Sequence, residues 1–207
     1  ANMADPEKWI DPLRGYKYDS FNWDVLLRHA KVRNGRIVLP GGASYSLLVV
    51  PESRKMSPHG DLMTPEVAVR LLELVKAGAT MIINERPTHS PGLNNFPECD
   101  RMLGEAIEEL WGEPENEEID RYPEILLTRS IGKGRIIKGP FHWASFEILG
   151  IDRDMIVRDI SGRYAEDIAW AHRTTPGVDI YFISNQQNIK RKVNVSLKCA
   201  KGKGRVM

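Results

Sequence analysis

Leu47-Leu48-Val49-Val50, then Thr64-Pro65-Glu66 running on to Gly78, then Ala79-Thr80-Met81-Ile82-Ile83 are the segments on which the fold turns. The first and third are short runs apolar on both faces, the pattern of strands buried inside a parallel sheet. Between them, Thr64 offers a hydroxyl N-cap, Pro65 suits the first helical position, and Glu66 sets a carboxylate in the positive first turn. Val67, Leu71, Leu74 and Val75 then recur at helical spacing, and Gly78 stands where a left-handed residue closes a helix. Strand, helix, strand is a βαβ crossover, which is right-handed almost without exception and lays both strands parallel in one sheet.

On the N-terminal side, residues 1–20 have no period and read as a lead-in linker. Asn22 to Lys31 places Val25, Leu26 and His29 on one helical face, and Asn34-Gly35 is a tight-turn signal. Arg36 to Leu39 and Ser46 to Val50 read as strands around Pro40-Gly41-Gly42. On the C-terminal side, Glu85 to Pro97 is a long irregular loop, Glu98 to Trp111 a helix, and the acidic stretch through Asp120 a solvated connection. Leu126 to Arg129 and Arg135 to Lys138 form a strand pair around Gly132-Lys133-Gly134, and Phe141 to Leu149 a short helix. Beyond Ser161-Gly162 the pattern turns β-rich: Ile168 to His172, Asp179 to Ser184 and Lys192 to Lys198 look like the first strands of a sandwich. The expected organisation is an α/β domain over 21–160, an open parallel sheet with helices on both faces. A few antiparallel strands follow over 161–207, where the sandwich is truncated.

The chain of 207 residues carries 29 Lys and Arg against 28 Asp and Glu, a net charge of +1 that gives no whole-molecule field to draw in nucleic acid or anionic lipid. The longest apolar runs, such as Tyr45 to Val50, are far short of the roughly 20 residues a membrane helix needs. Cys99 and Cys199 form no CxxC and stand at no metal-ligand spacing. A disulfide between them is the less favoured reading. The five histidines pair with no other His or Cys at a ligand spacing, so neither a transition metal nor another cofactor is expected.

Open parallel sheets bind ligands beyond the carboxyl ends of their strands, here Pro51 to Arg54 and Asn84 to His89. Glu52, Arg54, Glu85, Arg86 and His89 are the candidate ligand or interdomain contacts at that edge. The turn after the second strand reads Asn84-Glu85-Arg86-Pro87, without the Cys, Ser or Thr that an acyl-transfer nucleophile requires. Cys99 lies in a first helical turn, where a buried inert thiol is the expected state. Gly132-Lys133-Gly134-Arg135 lacks the phosphate-loop spacing and fits a hairpin turn. Among the late strands, Trp170, Tyr181 and Phe182 are expected to serve core or interdomain packing, leaving His172 and Arg173 as candidate ligand or docking groups.

Three stretches together resemble the α-L-rhamnosidase-like enzymes of glycoside hydrolase family 106, in the region after the catalytic barrel. The first is Tyr16 to Val25 with Gly35-Arg36-Ile37-Val38-Leu39-Pro40 and Tyr45 to Pro51. The second is Met63-Thr64-Pro65-Glu66 leading through Leu74 to Thr80 and on to Arg86-Pro87-Thr88-His89-Ser90-Pro91-Gly92-Leu93. The third is Trp170-Ala171-His172-Arg173-Thr174 with Asp179 to Gln186. The resemblance implies a flavodoxin/glutamine-amidotransferase-like α/β domain running into a β-sandwich, downstream of a (β/α)8 barrel that carries the glutamate pair for inverting hydrolysis. This sequence departs from that pattern by an insertion around His59-Gly60 and by ending early.

The expected function is that of an accessory, non-catalytic domain of a glycosidase acting on rhamnose-containing polysaccharide. Its partners are then the catalytic barrel of the same polypeptide and, through the parent enzyme, carbohydrate; nucleic acid and a membrane span are not expected. A periplasmic or extracellular setting follows if the resemblance holds. The alternatives are a small-molecule or carbohydrate-binding module using the strand-end residues and, ranked last, an amidotransferase-type hydrolase acting through Cys99.

Overall fold

The computed structural model describes residues 11, 13–53, 58–112, 116–119, 125–139 and 142–198. Contacts gather these into two compact units. One is Ser20–Leu149; the other joins the described residues of 1–19 to those of 150–207.

The first unit opens with α1 (Trp23–Arg28), whose N-cap Asn22 accepts the Val25 N–H at 3.1 Å. A small antiparallel sheet follows, β1 (Lys31–Arg33), β2 (Arg36–Val38) and β3 (Ser44–Tyr45). Asn34 and Gly35 both take positive φ between β1 and β2, as a tight hairpin turn requires. Next come β4 (Leu48–Val49), α2 (Pro65–Lys76) and β5 (Thr80–Ile83). β4 and β5 pair in parallel, Leu48 beside Met81 and Val49 beside Ile82, across the crossover that α2 makes. Thr64 caps α2 through Val67, with Pro65 and Glu66 in its first turn. Then follow α3 (Glu98–Trp111), β6 (Asn116–Ile119), β7 (Ile125–Ile131), β8 (Gly134–Lys138) and α4 (Trp143–Ile148).

The main sheet has the order β4-β5-β8-β7-β6, and it is mixed rather than parallel throughout. β4, β5 and β8 run parallel, whereas β7 and β6 are antiparallel to their neighbours. The reason is local: Gly132-Lys133 joins β7 directly to β8, and so short a turn can only reverse the chain, since a parallel pair needs a long crossover. The acidic stretch expected as a solvated connection supplies β6, paired with β7 from Asn116 opposite Thr128 to Ile119 opposite Ile125. α2 and α3 pack on one face, where Leu71, Leu74, Val75, Leu103, Ile107 and Leu110 meet Met81, Ile83 and Ile136. Ile82 and Ile137, one step out of phase, are buried on the other face. Lys138 closes the end of α3, donating to the carbonyls of Trp111 and Gly112 at 2.9 and 2.8 Å. A cation there satisfies acceptors that the helix leaves open.

In the second unit, β9 (Met155–Asp159) pairs antiparallel with β12 (Val193–Leu197), and β10 (Ile168–Thr175) with β11 (Val178–Asn185). Met155, Val157, Ala165 and Ile168 form its core, with Trp170, Tyr181 and Val193 packed against them. The described residues before 20 belong to this unit. The Asp11 N–H donates to the Glu166 carbonyl at 2.6 Å, and the Gly15 carbonyl accepts from the Asp154 and Met155 N–H groups at 2.9 and 3.2 Å. Contacts therefore change partner at residues 149 and 150, because β9 belongs with β12.

Candidate functional site

The parallel ladder runs past the ends of β4 and β5 into side chains. Val50 N–H donates to the Ile82 carbonyl at 3.0 Å, Asn84 Nδ2 donates to Glu52 Oε2, and Ser53 faces Glu85. Both oxygens of Glu85 are taken, Oε2 by the Ser53 N–H and Oε1 by the Ser53 hydroxyl at 2.8 Å. Those donors, the backbone N–H first, hold the Glu85 carboxyl below the usual glutamate range. Ser53 Oγ in turn accepts the Gly60 N–H at 2.9 Å.

The other candidates at this edge do not converge on that pair. Arg86 reaches to α3 and ion-pairs with Glu108 at 2.5 Å. His89 is exposed, with Nδ1 2.8 Å from its neighbour Thr88 Oγ1. Its backbone is tied to the preceding loop, where the Met63 N–H donates to the His89 carbonyl at 3.1 Å. Arg54 lies outside the described residues. Beyond Arg86 the chain pairs with the loop before α2, the Thr88 N–H donating to the Asp61 carbonyl at 2.8 Å. Among the described residues no group of three or more His, Cys, Asp or Glu side chains is placed to hold a metal. Cys99 is a buried free thiol, and Cys199 lies outside the described residues.

A second polar cluster forms around His172 in the β-rich unit. Its ring is buried, with Nδ1 3.1 Å from Asp154 Oδ2 and Nε2 3.0 Å from Asp179 Oδ1. Thr174 Oγ1 donates to the same Asp179 oxygen at 3.1 Å. The imidazole stacks on Tyr181, with centroids 4.1 Å apart and planes 7° from parallel. Tyr181 donates to the carbonyls of Asp154 and Lys198, so the cluster ties β10 and β11 to the segments that flank β9 and β12. His172 is thus enclosed between Asp154 and Asp179. Arg173 is exposed and donates to the His172 carbonyl at 3.2 Å. Phe182 is not part of this unit's core: it is 69% exposed. Successive strand residues face opposite ways, and register sets Phe182 beside Ala171 and Ile180 beside Arg173 on the outer face.

Asp11 is a buried acceptor in the same unit. It receives the N–H groups of Leu13 and Gly15, the hydroxyl of Tyr164 and the indole N–H of Trp170. Neither Asp11 nor Asp154 carries a motif, and only the tertiary pairing of distant segments reveals them. Asp179 opens a strand segment legible in the sequence, but its register opposite Thr174 comes only from the fold.

This assembly of mixed sheets with few helices is similar in fold to part of a known glycosidase. The structure of rhamnosidase from Novosphingobium sp. PP1Y matches 93% of this chain with a TM-score of 0.69 at 23% identity, using 16% of its own length. By sequence, a protein named "Putative beta-glucuronidase" from Formosa agariphila is 30% identical over 181 residues, 87% of this chain and 13% of that protein. The alpha-L-rhamnosidase family, glycoside hydrolase family 106, matches residues 3–205. The chain belongs to that family. It spans only a small part of the length of either relative, and among the described residues no helix is long and apolar enough to cross a membrane.

Proposed function

We propose that this chain is an accessory, non-catalytic segment of a larger glycoside hydrolase acting on rhamnose-containing polysaccharide, with the reactive carboxylates on a barrel elsewhere in the same polypeptide. The observation that carries the reading is Glu85, whose two oxygens are both occupied by Ser53 and whose carboxyl is held ionised. Glycoside hydrolysis needs a protonated acid facing a base or nucleophile across the sugar. A carboxyl with a depressed pKa does not suit the protonated acid, and this one turns both oxygens to Ser53 instead of toward a facing carboxyl, while its neighbour Glu52 is engaged by Asn84. Support also comes from length, since the relatives run several times beyond the matched region.

The α/β unit is read as amidotransferase-like: three parallel strands with a helical crossover, and a turn after β5 that carries no nucleophile. Glu52, Glu85, Arg86 and His89 then serve interdomain docking, as does Arg173 on the β-rich unit, and His172 braces the strand that presents it. The test is an aryl α-L-rhamnoside assay on the purified chain, with calorimetric titration of rhamnose alongside. No turnover and no saturable heat are expected. Turnover that disappears in Glu85→Gln defeats the reading, and saturable heat without turnover moves the assignment to a carbohydrate-binding module.

A further inference from the structure

Between Asp24 and Glu52 the chain holds no carboxylate but four cations, Arg28, Lys31, Arg33 and Arg36. Arg28 is paired with Asp24, and the other three fall on the small antiparallel sheet. Alternation sorts that sheet into two faces. Val32, Ile37 and Tyr45 stand in one row and pack on the core of the unit. The rows Lys31-Val38-Ser44 and Arg33-Arg36 lie on the opposite face, where Lys31, Arg33, Arg36 and Ser44 are exposed. Arg33 and Arg36 are direct cross-strand partners, and like charges so placed destabilise a sheet. Edge protection accounts for cations on β1, the outer strand, but not for Arg36 on the middle one.

Arg36 is held in place by neutral groups. Its Nε donates to Ser44 Oγ at 2.7 Å, Nη1 to Ser46 Oγ at 2.5 Å and Nη2 to the Ser44 carbonyl at 3.0 Å. These acceptors leave its charge uncancelled and further N–H donors open, and both serine hydroxyls keep a proton to donate. The side chains of Lys31 and Arg33 make no hydrogen bond or ion pair among the described residues. Resting on the accessory-segment reading, we infer that this face binds the carboxylates of an acidic polysaccharide. Guanidinium matches carboxylate in planar, charge-assisted pairs. Cations about 5–7 Å apart, across and along the strands, suit acidic groups repeated along a polymer. The hydroxyls of Ser44 and Ser46 add donors for sugar oxygens. Nucleic acid fits less well, since Tyr45 faces the core and no ring on this face can stack on a base. A lipid surface fits less well too, because Val38 is the only apolar side chain in the rows that face outward.

Calorimetric titration of the chain with a polygalacturonate oligomer tests this, with the fully methyl-esterified oligomer as the uncharged control. Saturable binding of the acid form is expected, about tenfold tighter or more than any binding of the ester. Lys31→Gln combined with Arg33→Gln is expected to weaken it by about tenfold or more while the urea midpoint stays in place, because neither side chain holds the fold. Lys190→Gln combined with Lys192→Gln makes the same change in net charge on exposed residues of the β-rich unit, and is expected to leave binding intact. Four results overturn the inference: no saturable binding, equal binding of acid and ester, equal losses in the two double variants, or affinity for duplex DNA as high as for the oligomer. Rhamnoside turnover by the present chain would instead defeat the accessory reading and leave the charged face standing.

Discussion

The indole N–H of Trp170 donates to the Asp11 carboxylate at 2.9 Å across 159 positions of chain. The same oxygen takes the Tyr164 hydroxyl at 3.0 Å and the Gly15 N–H at 2.7 Å. Arg14 pairs with Glu166 close by, and the guanidinium of Arg153 lies over both Tyr16 and Tyr164. Removing the carboxylate strands several donors at once, and each buried unsatisfied group costs about 1–3 kcal/mol. Asp11→Ala is therefore expected to destabilise the β-rich unit by roughly 2–4 kcal/mol. Hydrogen exchange reads this directly: protection falls across 155–197 and is kept across 65–111. Loss of protection in α2 and α3 as well would mean that the two units do not unfold separately.

A chain that enters and leaves one unit at neighbouring points has another unit inserted in it. The Gly15 carbonyl accepts from the N–H of Asp154, so the breaks at 19/20 and 149/150 each lie within five residues of one hydrogen-bonded pair. Replacing Ser20–Leu149 by a short Gly/Ser linker is accordingly expected to leave a folded β-rich unit. The expected signature is a dispersed amide spectrum retaining the downfield indole signal of Trp170. A collapsed spectrum shows that the β-rich unit depends on the α/β unit.

This nesting is what the sequence conceals. Residues 1–20 have no period and read as a linker, because Asp11, Arg14 and Tyr16 acquire their meaning from partners more than a hundred residues away. The α/β unit is different, since its information is local: Thr64-Pro65-Glu66 and Gly78 bound α2, and the apolar runs on either side become β4 and β5. Periodicity also finds α3 with its correct ends. It fails at β6, an edge strand whose acidic residues resemble a loop, and at β9, whose partner β12 lies far along the chain. At the candidate site, Glu52 and Glu85 were legible as neighbours at strand ends. Their capture by Asn84 and Ser53 was not, because register decides which side chains meet.

Gly134 stands where β8 passes the end of α2, and a Cβ there would lie 2.3 Å from the carbonyl oxygens of both Val75 and Ala79. Both obstacles are backbone, so the clash is not relieved by a rotamer change. Gly134→Ala is expected to destabilise the α/β unit by about 1–3 kcal/mol, the usual range for overpacking. Lys133→Ala, in the exposed turn beside it, is expected to stay within about 0.5 kcal/mol. Urea midpoints of the two variants check the contrast. Equal sensitivity at both positions would show that the close approach at Gly134 is not what sets the cost.

Tyr164 predicts how the β-rich unit responds to alkali. Burial of its half-buried phenol, followed by the charge of Asp11 and the hydrogen bond to it, raises its pKa well above the usual tyrosine value, whereas Arg153 and Arg14 act in the opposite direction. The unfolded chain releases this proton near pH 10, as a free tyrosine does, while the folded unit retains it. The stabilisation is thus complete below about pH 10 and is lost as pH rises above it, since the unfolded state then binds fewer protons. A ring-carbon NMR titration, assigned by comparison with Tyr164→Phe, is expected to show Tyr164 protonated through pH 11 while the fold persists. Asp11→Asn removes the charge and lowers the apparent pKa, leaving the part due to burial. A Tyr164 signal that titrates at the free-tyrosine position in the folded chain would place the hydroxyl in solvent and break its bond to Asp11.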